Sequence, residues 1–219
     1  RAEWAERFEA WSFLRSRGIK TSELVWKYGG FFCAKTSWLA GISLAEIKGD
    51  KNENNQKLGA LLKGLKHLEI LAKNDPPLWH GDLSPENFLI LRDGDVAWID
   101  WDCAEFDDAF SRPKEKFYAK PAYLAPERAS AGVISLGSEL FAIAAIAYQI
   151  LCGETLFANS PMGMHEALCF DLRAWENAKK KIPSAFRAAI ARALLPSPDL
   201  RTNSFLEFRK ELERALAQG

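Results

Sequence analysis

The sequence predicts an α+β chain, with a small β-rich part near the N-terminus and a mostly helical body behind it. Two observations carry this. The β-type runs are short and few: SELVWKYGG and FFCAKTSWL between residues 22 and 39, then FLIL (88–91) and VAWI (96–99) on either side of RDGD. The helix-type runs, with apolar residues three and four apart, are longer and fill most of the rest.

Taken in order, residues 2–18 place Trp4, Phe8, Trp11 and Leu14 on one helical stripe, and Gly18 ends it. Two β runs follow around Gly29-Gly30. Ser43 and Glu46 have the spacing of a capping box, so a helix is predicted to open there. The polar stretch 48–57 reads as a solvated loop or helix start. Leu58, Leu61, Leu62, Leu65 and Leu68 then form a helix stripe that Pro76 and Pro77 close off. Asp-Gly between FLIL and VAWI predicts a tight hairpin. Residues 103–122 mix acids and bases without periodicity and read as an irregular loop. SELFAIAAIAYQILCG (138–153) is apolar nearly all round, as a buried helix is, with Gly153 as its stop. Amphipathic runs at 170–180 and 184–195 follow. Last, Ser204 and Glu207 cap a helix whose face is Phe205, Phe208, Leu212 and Leu216.

Composition narrows the class. A chain of 219 residues, 48% apolar and 26% charged, can bury a sizeable core. A formal net charge of zero argues against nucleic-acid or anionic-membrane binding driven by bulk charge. Cys33, Cys103, Cys152 and Cys169 form no C-x-x-C pair and read as free thiols of a reducing cytoplasm. His67, His80 and His165 make no metal spacing. No apolar run approaches the ~18 residues of a membrane span, and no signal peptide is visible.

The hairpin organises the chemistry. Its open ends carry Asn87 and, close by, Asp82 on one side and Asp100 on the other, so pairing makes them neighbours. A carboxylate and an amide oxygen suit Mg²⁺. A second carboxylate beside the metal suits a base. Together they match the layout of phosphoryl transfer.

HGDLSPEN (80–87), IDWD (99–102) and YLAPER (123–128) resemble, in order and spacing, the catalytic loop, the D-F-G element and the A-P-E element of protein kinases. The resemblance implies a protein kinase-like fold. Residues 1–37 would be part of an N-terminal lobe, helix and strands, and 38–219 the helical C-terminal lobe. It also implies an ATP- and Mg²⁺-dependent phosphotransferase of bacterial serine/threonine type acting in the cytoplasm. Asp82 would be the base, with Asn87 and Asp100 as catalytic metal ligands. Ser37, Trp38 and Leu39 would meet the adenine, with Thr36 behind. Glu6 or Glu9, with Glu9 favoured, would be the helix glutamate that pairs a strand lysine. His80, Glu139, and a buried Glu127–Arg201 ion pair would be structural, Glu139 standing where the family has aspartate. ATP and a protein hydroxyl would be the partners, with no nucleic acid.

Three departures accompany the resemblance. Gly81 replaces the arginine of H-R-D, which normally neutralises a phosphorylated activation segment, so activity should not require that phosphate. Asp102 replaces the glycine of D-F-G, and Ser84 the usual loop lysine. The glycine-rich loop and strand lysine belong before Arg1, so a fragment of a longer, N-terminally truncated chain is expected. HGDLSPEN and IDWD are also similar to aminoglycoside and lipopolysaccharide-core kinases, which leaves a small-molecule or sugar kinase as an alternative. A non-catalytic pseudokinase is a further one.

Overall fold

The computed structural model describes residues 2–19, 21, 23–28, 31–35, 38–47, 51–107, 120–132, 134–157 and 172–218. Thr36 and Ser37 lie outside them, as do the side chains of Trp4, Glu6 and Phe8. The fold is α+β, with helices dominating after residue 50.

Helix α4 (Leu136–Cys152) is the axis of the body. Leu140, Phe141, Ile143, Ile146 and Tyr148 are fully buried along it, as a helix apolar on every face requires. It starts at a reciprocal Ser135–Ser138 capping box and ends at Gly153. Around it stand α2 (Lys51–Ala72), α3 (Pro126–Ala131), α5 (Leu172–Lys181), α6 (Ser184–Ala193) and α7 (Phe205–Gln218). On α2, Leu58, Leu61, Leu65, Leu68 and Leu71 are buried against α4 and α7. Each contributes about 1.5–3 kcal/mol relative to exposure, which offsets the poor intrinsic propensity of an Asn-rich first turn. Ser204 caps α7 by accepting the Glu207 N–H at 3.1 Å.

Strands β5 (Phe88–Leu91) and β6 (Val96–Trp98) form the hairpin, pairing Phe88 with Trp98 and Ile90 with Val96. Strand β3 (Gly41–Ser43) adds to the other edge of β5, Ser43 opposite Leu89. This corrects the helix predicted to open at Ser43. The Ser43 N–H does donate to the Glu46 carboxylate at 3.3 Å, but Ser43 is held in the sheet, so the cap closes a turn and α2 begins only at Lys51. The hairpin seats on α2 at Gly64, where a Cβ would come within 2.4 Å of the Phe88 ring. There the Trp98 indole N–H donates to the Gly64 carbonyl at 3.1 Å.

Near the N-terminus, β1 (Glu23–Tyr28) and β2 (Phe31–Lys35) pair antiparallel, with an irregularity between Leu24 and Trp26. Helix α1 (Ala2–Ser16) buries Trp11 and Leu14 and joins the hairpin end, its Trp11 indole N–H donating to the Trp101 carbonyl at 3.2 Å. Part of the loop predicted after residue 103 is ordered as a strand: β7 (Glu105–Phe106) pairs with β4 (Leu78–Trp79). The Trp79 indole N–H fixes the end of that pairing on the Asp107 carboxylate at 3.1 Å. Two-residue strands leave no period in the sequence, which is why the pattern hid them.

Candidate active site

The site forms where the segment entering β5 meets the end of β6. The Ile99 N–H donates to the Asn87 carbonyl at 2.9 Å, which puts Asp100, the next residue, beside Asn87. Asp100 itself is left-handed, at φ 60 and ψ 59, and exposed. An aspartate tolerates that conformation better than most residues, and it turns the chain sharply into the 3₁₀ turn Trp101–Cys103. Asn87 is buried, and its amide nitrogen donates twice to Asp82, to the main-chain carbonyl and to the carboxylate, each at 2.8 Å. A planar amide so held presents its oxygen on the opposite side. Asp82, Asn87 and Asp100 thus share one end of the hairpin. Their hard oxygen donors fit Mg²⁺, with Asn87 and Asp100 as the residues that would hold it.

His80 is the pin of this arrangement. Its ring is fully buried, with Nε2 3.0 Å from the Ile99 carbonyl and Nδ1 accepting the Asp82 N–H at 3.2 Å. Only a neutral imidazole protonated on Nε2 satisfies both contacts. Burial drives its pKa down to about 3, which keeps it in that form. The ring lies against Trp101, centroids 4.3 Å apart, and edge-on to Trp98. One neutral histidine therefore ties the loop before β5 to the end of β6.

Glu139 of α4 holds the same loop from below. It is 2% exposed, and its carboxylate accepts the His80 N–H at 3.0 Å and the Gly81 N–H at 3.1 Å. Burial pushes its pKa up to about 7, while the Arg128 charge and the two backbone donors pull it back. Gly81 stands at φ 78, and a Cβ there would meet the Cys103 carbonyl oxygen at 2.5 Å. The glycine that replaces the family's arginine is thus the residue this loop geometry accepts.

The chain after residue 119 is anchored onto α4 and onto Arg201, in the segment between α6 and α7. The Tyr123 hydroxyl donates to Gln149 at 2.6 Å. Arg201 grips the Glu127 carboxylate with both terminal nitrogens, at 2.7 and 2.8 Å. Its remaining N–H groups go to the carbonyls of Leu195, Gly137 and Pro196, so all five donors are used. The Arg201 side chain is wholly buried, and its guanidinium lies over the Phe141 ring.

The other expected residues lie on other segments. Trp38 is 92% exposed and Leu39 half-buried, on the stretch just before β3. Glu9 is exposed on α1, beside the inward-facing Ala10 and Trp11. Sequence reasoning missed Lys120, treated as one of several loop charges. Its ammonium donates to the Ser84 hydroxyl at 2.6 Å and stands 3.8 Å from the Asp82 carboxylate. No spacing rule links residues 84 and 120; the serine in place of the loop lysine was the available hint.

Comparison with known proteins points to one family. The protein kinase domain model matches residues 33–207. A serine/threonine-protein kinase, Pkn1 of Myxococcus xanthus, is 30% identical over 148 residues, covering 64% of this chain and 21% of its own. Serine/threonine-protein kinase A of Synechocystis is 28% identical over 136 residues, 58% of this chain and 26% of its own. A mouse relative named inactive serine/threonine-protein kinase PLK5 is 30% identical over 167 residues, 76% of this chain and 27% of its own. The chain spans about a quarter of the length of these relatives. With a family match across most of its length, and with the loop, hairpin end and anchored segment in one place, the chain belongs to the protein kinase domain family.

Proposed function

We propose that this chain is the catalytic portion of a serine/threonine protein kinase that moves the terminal phosphoryl group of ATP onto a hydroxyl of a protein. One observation carries the reading: the Asp82–Asn87 pair stands at the hairpin end next to a segment fixed by the fully satisfied Arg201–Glu127 grip. An extended peptide needs such a fixed platform, whereas a small acceptor needs only a cleft. In this reading Asp82 orients the acceptor hydroxyl and takes its proton, and Asn87 holds the Asp82 carboxylate in place. Asn87 and Asp100 are the residues that would hold Mg²⁺, which neutralises phosphate charge when bound. Trp38 and Leu39, with Ser37, remain the assignment for the adenine edge, and Glu9 for the lysine partner. The boundary between the two lobes is placed at residues 37 and 38, and the working compartment is the cytoplasm. Among the described residues no helix is long and apolar enough to cross a membrane.

The test is labelled-ATP transfer by the full-length protein to a generic basic protein, to itself, and to a panel of sugars and aminoglycosides. Label is expected on protein. Label only in the small-molecule panel would replace the reading with a sugar or aminoglycoside kinase. The inactive name of the mouse relative, together with Asp102 in the glycine position, favours a second reading as a non-catalytic binding domain. Nucleotide binding without transfer to any acceptor would establish it.

A further inference from the structure

The stretch from His80 to Asp107 is short of positive charge. It carries Asp82, Glu86, Asp93, Asp95, Asp100, Asp102, Glu105 and Asp107, against one formal cation, Arg92, in the hairpin turn away from the site. His80 is neutral, held so by burial. Yet a phosphoryl group transferred beside Asp82 brings several negative charges of its own. A carboxylate that must approach such a group gains from a fixed cation between the two.

Lys120 is placed to be that cation. Its ammonium is hydrogen-bonded to the Ser84 hydroxyl at 2.6 Å, with Asp82 at 3.8 Å and Glu86 at 3.6 Å. Ser84 is fully buried, so its hydroxyl is a fixed acceptor that aims the ammonium. The backbone is fixed as well: Lys120 immediately precedes the 3₁₀ turn Pro121–Tyr123, which Tyr123 pins to Gln149. An exposed ion pair of ordinary kind has neither restraint and contributes little. Here a long side chain is restrained at both ends next to the proposed base, and it is 37% exposed.

We propose that Lys120 supplies the positive charge of the transfer site, from the anchored segment rather than from the loop that carries Asp82. This rests on the phosphotransferase reading above. In the step itself, the acceptor oxygen forms a bond to the terminal phosphorus and its proton passes to the Asp82 carboxylate. The bond from that phosphorus to the bridging oxygen breaks, and its electron pair leaves on the nucleoside diphosphate. Lys120 keeps its proton throughout and neutralises the oxygens of the group in transit. Because Lys120 belongs to the platform, the charge is in place only when the platform is docked.

The experiment uses the full-length protein and three variants: Lys120→Ala, Lys120→Arg, and the exchange Ser84→Lys with Lys120→Ser. Affinity is measured for ADP alone and for ADP with fluoroaluminate and Mg²⁺, which imitates the group in flight, alongside kcat and KM for ATP. Lys120→Ala is expected to lower kcat by about 10²-fold, as loss of one transition-state donor does. KM for ATP and affinity for ADP should stay within about threefold, while the fluoroaluminate complex weakens about as much as kcat. Lys120→Arg should keep most of the fluoroaluminate affinity, and the exchange variant should regain at least about tenfold over Lys120→Ala. Equal loss of ADP and ADP–fluoroaluminate affinity would overturn the proposal, since that is what a merely structural lysine gives. So would unchanged transfer in Lys120→Ala, which would mark a surface ion pair. An exchange variant that melts like the parent yet regains nothing would overturn it too. If the parent binds ADP and transfers, only the role of Lys120 is at stake; if the parent does neither, the kinase reading falls and this falls with it.

Discussion

Glu139 accepts the backbone N–H of His80 at 3.0 Å and that of its neighbour Gly81 at 3.1 Å, from the middle of the buried body. The loop that carries Asp82 therefore hangs from α4 by its main chain. The geometry asks for two acceptor oxygens, one per N–H. Glutamine would bring one oxygen and one NH₂, so a buried donor would face a donor. An orphaned buried group costs about 1–3 kcal/mol. Above about pH 7, where Glu139 is a carboxylate, Glu139→Gln is expected to lower unfolding stability by that amount in urea titration. A variant as stable as the parent would mean the two contacts carry no weight.

Arg201 gives the larger effect. Its side chain is wholly buried, and truncation leaves the Glu127 carboxylate and three carbonyls facing a hole. Removing one partner of a buried ion pair typically costs about 3–5 kcal/mol. Arg201→Ala should therefore melt well below the parent and lose transfer to protein. Arg201→Lys should rescue little, because one ammonium cannot reproduce a planar fork with five donors. Near-parental stability of the lysine variant would contradict the importance of that fork.

The body of the fold was legible because its signals are local and redundant. A helix apolar on all faces has to be buried, and α4 is. The leucine stripe of α2 and the Asp-Gly turn between β5 and β6 follow the same logic. The site was legible only in part. Asn87 and Asp100 flank the paired ends of β5 and β6, which the hairpin brings together, and Asp82 joins them through the Asn87 amide. Lys120 reaches Ser84 across 36 residues of sequence through tertiary anchoring, which no periodicity encodes. The helix predicted at Ser43 failed for a related reason: the cap signal was real, but pairing of Ser43 with Leu89 outweighed it.

Gly81 tests the departure from the family's arginine. Its φ of 78 and the Cys103 carbonyl 2.5 Å from a would-be Cβ leave no room for a side chain without a backbone shift. Gly81→Ala should destabilise the fold by about 1–3 kcal/mol, the usual cost of overpacking combined with a left-handed alanine. Gly81→Arg should be no better, so the family's residue cannot simply be put back. Thermal melts of both variants decide this, and an alanine variant at the parental melting temperature would refute the steric account.

The last prediction concerns pH. His80 is neutral in the folded chain down to about pH 3, whereas an exposed histidine protonates near 6.5. Below about pH 6.5 the unfolded chain therefore binds a proton that the folded chain refuses, and stability falls as pH falls. Glu139 works the other way. Folded, it keeps its proton up to about pH 7; unfolded, it releases it near 4.5, so its contribution is present at low pH and fades as pH rises through 7. Between about 4.5 and 6.5 the two slopes oppose each other, and the parent's own profile is flattened. Comparison with a variant isolates the imidazole. His80→Gln cannot titrate, but Glu139 and the other carboxylates remain in both proteins. The stability gap between parent and variant should shrink on acidification below pH 6.5 by about 1.4 kcal/mol per pH unit, read from urea titrations at pH 7.5, 6 and 5. A gap that stays constant over that range would mean His80 can take a proton in place. The ring would then not be locked between the Asp82 N–H and the Ile99 carbonyl as its contacts require.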